Sequence, residues 1–331
     1  MIRNWEDSVN IEMDVSTHCN VDCISCARIN PYLFEHHNNV WRRLFTEDFL
    51  DLNVERITFT SKWGDPLAHP DFMEMLDVLY DNIPECTVSI ETSLAYHDED
   101  YYRTLGKSLR RFPDSRVSTC VYGTGDLHQR FRTGSDFETV ERHTKTLARM
   151  RVFVFWHFVV FNYNQDDLDN VLSHAVNCRV GGLATREFWN DKIFNKTVSD
   201  GLEAQPEWLK YPDDYEPLTE DWGHKPFPEP SINEDFEDGE ECNSLRTRSV
   251  WIDAWGGVWP CYAMGKHSME LQHPEGTEIE RVFDIHGRFN NVNTKNLREI
   301  LQHTWFKEIL PQRQETKPYI ACKKECNLCD R

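Results

Sequence analysis

Up to about residue 189 the chain alternates short β-rich runs with longer stretches of helical periodicity. Strand patterns fall at 9–15, 53–60, 86–91, 116–121, 152–161 and 179–183. Apolar residues at helical spacing fall at 46–52, 71–82, 101–112, 137–150 and 165–178. Six strands separated by helices predict an α/β fold built on a parallel sheet. From 190 to 241 the periodicity is lost in an acidic, Pro-containing stretch, which reads as a linker or a lid over one end of the sheet. Past Cys242, Val250 to Asp253 and the run ending at Cys261 read as a β-hairpin turning at Gly256-Gly257, and a helix follows over 296–309. The expected division is 1–189, 190–241 and 242–331.

Composition narrows the class. A hydrophobic share of 39% with 28% charged residues is that of a globular protein. No run approaches the ~18 apolar residues of a membrane span, and the N-terminal residues lack an apolar signal core, so no membrane partner and a cytoplasmic location are expected. A formal net charge of −20 argues against nucleic acid as a partner, and the basic stretch 103–116 reads as a solvated helix face. Eleven cysteines in a chain of this kind favour metal ligation over disulfides, and six of them fall in two tight groups, 19–26 and 322–329.

The first group carries the chemistry. Cys19, Cys23 and Cys26 follow the first strand with the spacing C-x3-C-x2-C. A 4Fe-4S cluster normally takes four thiolates, so a local set of three leaves one iron open to a small molecule. The alternative is a zinc knuckle with His18 as fourth ligand, although zinc prefers paired C-x2-C spacing.

The spacing resembles that of the radical S-adenosylmethionine (radical SAM) superfamily. That resemblance implies a partial (β/α)6 barrel in which SAM chelates the open iron and is cleaved reductively to a 5′-deoxyadenosyl radical. Trp63-Gly64-Asp65-Pro66 after the second strand resembles the family's Gly-Gly-Glu-Pro turn, whose backbone meets the SAM amino group; Trp63 and Asp65 are departures. Thr92 and Ser118 stand where polar groups of the family meet SAM. Arg132, in an Arg-x-Gly loop shared with Arg130 and Gly134, can grip a carboxylate, with Ser135 or Asp136 as a helix cap. Ser25 replaces the family's aromatic residue before the third cysteine, so adenine contact is sought from Phe59, Trp63 or the neighbourhood of Arg179.

At the C-terminus, Cys242, Gly256 and Cys261, followed by Cys322, Cys326 and Cys329, are similar to the auxiliary-cluster appendage of the SPASM and Twitch subgroups. The resemblance implies a small Twitch-like hairpin/helix domain holding a second 4Fe-4S cluster on Cys242, Cys261, Cys326 and Cys329, with Cys322 spare or exchanged for Cys329. A structural zinc on the same cysteines is the alternative. Cys86 and Cys178 read as core residues, whereas Cys120, at the rim end of strand four, is a candidate for proton or hydrogen-atom transfer. His157 reads either as a core histidine or as a cavity-facing one, and His36, His37 and His69 as solvated.

The implied activity is a radical SAM enzyme, with the auxiliary cluster assisting an oxidation of a small-molecule or peptide substrate, and with a flavodoxin or ferredoxin as electron donor. Maturation of a ribosomal peptide by thioether crosslinking or epimerisation is the second reading. A non-catalytic iron-sulfur protein is the third.

Overall fold

A computed structural model describes residues 8–24, 26, 36–186, 219–221, 242–269, 274–317, 319 and 322. Its centre is a nine-stranded sheet. The strands are β1 (Val9–Met13), β3 (Val54–Phe59), β4 (Thr87–Glu91), β5 (Arg116–Val121), β7 (Phe153–Val159), β8 (Gly182–Arg186), β9 (Thr219–Asp221), β10 (Ser249–Ile252) and β11 (Val258–Trp259), while β2 (Asp22–Cys23) and β6 (Arg132–Thr133) form a separate two-stranded ribbon. The order across the sheet is β11-β10-β1-β3-β4-β5-β7-β8-β9. β10, β1, β3, β4, β5, β7 and β8 run parallel, and the edge strands β11 and β9 are antiparallel.

The six expected strands form within two or three residues of their expected ends, and the helices Phe72–Asn82, Glu99–Leu109, Phe137–Arg149 and Leu168–Cys178 stand between them. Two of these helices are capped by aspartates: Asp98 accepts from Tyr101 N at 2.9 Å and Asp136 from Thr139 N at 2.7 Å. Asp136 is therefore the cap of the Arg-x-Gly loop, and Ser135 instead meets His128 Nε2 at 3.2 Å. The helix expected over 296–309 is split into Leu297–Leu301 and a π-helical turn, Trp305–Ile309.

Parallel strands are usually apolar on both faces because helices cover both. Here the strands alternate. Ile11, Met13, Ile57, Phe59, Val88, Ile90, Val117, Val154, Trp156 and Leu183 are buried against the helical layer; Phe59 packs on Phe72 at 5.0 Å and Trp156 on Phe137 at 5.9 Å. The intervening positions are half-buried and mostly polar: Glu12, Thr58, Glu91, Arg116, Ser118, Cys120 and His157, with Phe153 and Phe155 as aromatic exceptions on β7. One face of the sheet is thus a polar surface that no helix covers among the described residues.

The C-terminal hairpin does not stand apart. β10 pairs with β1 from Asn10↔Ser249 to Met13↔Ile252, so the hairpin extends the main sheet. Its turn is organised by buried Asp253, which accepts from Trp255 N, Gly257 N and Trp259 Nε1 at 2.8–2.9 Å while Gly256 adopts φ +85°. Burial raises the Asp253 carboxyl to about 6, against these hydrogen bonds. The folded chain therefore holds a proton between about pH 4 and pH 6 that the unfolded chain has released, and stability drains away as pH rises through that window. In urea unfolding from pH 4 to pH 7, the margin of the wild type over Asp253→Asn is expected to shrink by about 3 kcal/mol; a constant margin overturns this.

Candidate active site

The polar face and the loops at the carboxyl ends of the parallel strands meet at one rim, where open α/β sheets place their ligands. Cys19, Cys23 and Cys26 lie on the loop leaving β1. Cys23 sits on β2 opposite Arg132 of β6, and Cys26 N donates to Cys23 O at 3.2 Å. Burial raises the Cys23 thiol; the Arg132 guanidinium, hydrogen-bonded to it, pulls the other way, and Cys26 and Cys120 are its other charged neighbours. Arg132 also donates to Cys120 O at 3.2 Å and stacks over Tyr122 at 5.0 Å. None of the three cysteines is in a disulfide.

The turn after β3 is pressed onto this loop. Asp65 N donates to His18 O at 2.8 Å. A Cβ on Gly64 would lie 2.5–2.7 Å from Ser16 O, Thr17 C and His18 O, all backbone, so only glycine permits the approach. The variant Gly64→Ala is expected to fold with an unchanged far-UV spectrum yet to retain less than a third of the wild-type iron after anaerobic reconstitution, because the loop must move away. Wild-type iron content in that variant overturns the prediction.

Asp65 serves the protein rather than a ligand through its side chain. Its carboxylate accepts from Leu67 N, Thr92 Oγ1, Ser93 N and Ser93 Oγ at 2.7–3.0 Å, clamping the turn after β3 to the one after β4. The Thr92 hydroxyl is spent in that clamp. Pro66 opens the 3-10 turn Pro66–Ala68, and Ser118 stands half-buried on the polar face.

Several expected contacts fall elsewhere. Trp63 is buried with its ring 5.6 Å from Tyr262, so the ring faces the C-terminal unit, while its backbone N–H and that of Lys62 donate to Asp14 Oδ1. Phe59 belongs to the core on the helix side. Arg179 is the left-handed cap of Leu168–Cys178, at the entry to β8 and away from the rim. His69 is buried, not solvated, with Nε2 3.2 Å from Asn38 O, and His37 stacks on His18 at 4.2 Å. Cys86 and Cys178 are buried in the core as expected. Ser25, Cys326, Cys329 and most of 190–241 lie outside the described residues. Cys242 and Cys322 are buried and Cys261 half-buried; Gln314 Nε2 lies 3.0 Å from Cys322 Sγ.

Beside the cysteine loop the polar face carries charges that strand patterning alone did not single out. Lys62 Nζ lies 3.5 Å from Glu91 Oε2, and Glu91, with Glu12 and Asp14, holds the ammonium above its ordinary range. Burial raises Glu12. Burial also raises Asp14, to about 7, although it accepts from Trp251 Nε1 at 2.7 Å. The available signal was the polar residue at every second position of strands that the βα alternation makes parallel.

No protein-family model matches the chain. A GTP 3′,8-cyclase of Nautilia profundicola is 26% identical over 110 residues, 32% of this chain and 34% of the relative, so the match spans about a third of that protein. Among solved structures, native anSMEcpe with bound AdoMet and Cp18Cys peptide superposes with a TM-score of 0.56 at 16% identity, over 96% of this chain and 86% of that one. Streptococcus suis SuiB bound to S-adenosylmethionine superposes with a TM-score of 0.54 at 13% identity, over 77% of this chain and 60% of SuiB. The fold is that of the radical SAM enzymes. In a radical SAM fold the loop after β1 is the expected seat of the cluster, and the donors here suit it: three soft thiols on one loop beside a guanidinium, with no fourth thiol in that loop. Among the described residues no three His, Cys, Asp or Glu side chains are gathered so that they could hold a metal ion. Also among the described residues, no helix is long and apolar enough to cross a membrane.

Proposed function

We propose that this protein is a radical SAM enzyme that holds a 4Fe-4S cluster on Cys19, Cys23 and Cys26 and abstracts hydrogen from a substrate bound on the polar face. The observation that carries the reading is the seating of the C-x3-C-x2-C loop on the Gly64-Asp65 turn at the carboxyl ends of the strands. When bound, the cluster supplies the electron that cleaves SAM to methionine and a 5′-deoxyadenosyl radical.

The chain's own residues hold and shape. Asp65 fixes the turn, so that backbone carbonyls there can accept from the SAM ammonium. Arg132, beside Cys23, is placed to meet a carboxylate at the loop, and Ser118 to meet the ribose or methionine portion. Cys120, on the same face and next in register to His157, is placed to deliver a proton or hydrogen atom to a substrate. Cys242, Cys261, Cys326 and Cys329, with Cys322 in reserve, are proposed to hold an auxiliary cluster that accepts an electron in a net oxidation. The proposed location is the cytoplasm, with a flavodoxin or ferredoxin as donor.

Peptide modification is the second reading. It is favoured by structural neighbours that hold peptides: SuiB bound to the precursor peptide SuiA, and anSMEcpe with Cp18Cys. The test is anaerobic reconstitution with iron and sulfide, followed by iron counting and assay of 5′-deoxyadenosine with dithionite and SAM. About eight irons and SAM cleavage support the full reading; about four with zinc remove the auxiliary cluster; no SAM cleavage overturns the enzyme.

A further inference from the structure

The polar face is divided by charge. Its carboxylates gather at one side: Glu12 and Glu91 are both turned toward Lys62, and Asp14 is committed to Lys62 N, Trp63 N and Trp251 Nε1. The next strands, β5, β7 and β8, carry no carboxylate on this face, and the nearest acid in register is Asp221 of the edge strand β9, opposite Gly182. Register places Cys120, His157 and Ala184 in one row, and Val159 opposite Arg186 one step along, so His157 and Arg186 project from the same face of neighbouring strands. Among the described residues, the charged groups that act on the His157 ring are Arg186, Arg116 and Lys62, all cations. Its Nδ1 is buried and has no hydrogen-bond partner among the described residues, a cost that a ligand's acceptor or donor would relieve.

The surroundings are shaped as well as charged. Arg116 is held over the Phe153 ring at 5.1 Å, Phe155 lies 6.4 Å from Phe153, and the His157 ring lies 4.8 Å from Phe155. An aromatic shelf therefore leads up to an imidazole that meets no carboxylate among the described residues, with the exposed Arg186 guanidinium at the strand end. Cations beside a buried ring nitrogen that no described group meets suit an anion.

We propose that His157 and Arg186, supported by Arg116, form the subsite that holds an anionic group, a carboxylate or a phosphate, of the substrate, whose apolar body lies along Phe155 and Phe153. This rests on the reading of the polar face as the substrate site. Substrates whose only charge is a cation are disfavoured there, because they would have to displace or face Arg186.

The test is calorimetric titration of the full-length reconstituted protein with phenylacetate, phenyl phosphate, benzyl alcohol and benzylamine. At least one anion is expected to bind tenfold or more tightly than benzyl alcohol, and the preferred anion tells carboxylate from phosphate. In Arg186→Gln, a strand-end change, and in His157→Gln, that preference is expected to fall at least tenfold. Equal binding of all four probes, or a preference that survives both substitutions, overturns the subsite. So does loss of anion binding when SAM is saturating, which would assign these residues to SAM itself. SAM cleavage by the wild type is scored separately: anion binding without cleavage overturns the enzymatic reading alone, and cleavage without anion preference overturns the subsite alone.

Discussion

Replacing Cys23 with alanine is expected to abolish SAM cleavage and to remove about four irons per chain, while Cys86→Ala leaves both unchanged. The contrast follows from placement. Cys86 is a core thiol that burial pushes up to about 12, closed to metal. Cys23 is half-buried on the β2–β6 ribbon, beside a guanidinium and next to the amide of Cys26. Loss of one of three protein thiolates leaves two, too few to hold a cubane against oxidation and hydrolysis. The measurement is iron and acid-labile sulfide analysis, with chromatographic assay of 5′-deoxyadenosine, for both variants made in parallel. Full iron and cleavage in Cys23→Ala would move the cluster off this loop.

The second large effect is on stability. Asp65→Ala is expected to destabilise the chain by on the order of 4 kcal/mol, because it strands the Leu67 and Ser93 amides and the Thr92 and Ser93 hydroxyls in a buried pocket. Asp65→Asn retains one carbonyl acceptor but turns an amide N–H2 toward donors, so it recovers only part of the loss. Denaturant unfolding of the three chains at pH 7 measures the difference. A shift below about 1 kcal/mol for Asp65→Ala would mean that the two rim turns hold together without the clamp. Since Gly64 and Asp65 also brace the cysteine loop, iron content should fall with stability in this variant.

Much of this was legible along the chain. β5 begins and ends where its alternation does, at Arg116 and Val121, because a strand's side chains divide strictly between two faces. The cysteine spacing was legible because three thiols within eight residues can hardly avoid sharing a loop. Strand ends elsewhere slipped by two or three residues: β8 runs Gly182–Arg186 rather than 179–183, because Arg179 terminates the preceding helix in the left-handed region.

What the chain order could not show was which distant segments meet. The pairing of β10 with β1 joins Asn10 to Ser249 and makes the C-terminal hairpin part of the main sheet, and no local pattern encodes a partner more than two hundred residues away. The two-residue ribbon that sets Arg132 beside Cys23 is too short to leave a periodicity. Trp63 occupies a motif position yet packs against Tyr262, and Asp65 fills a motif position yet spends its carboxylate on Thr92 and Ser93. By itself the sequence determined the order of strands and helices and the three-thiol loop, since propensity, alternation and spacing are local. The tertiary structure alone decided which polar residues share the open face and which motif side chains remain for a ligand, because burial and hydrogen-bond partners exist only once remote strands lie side by side.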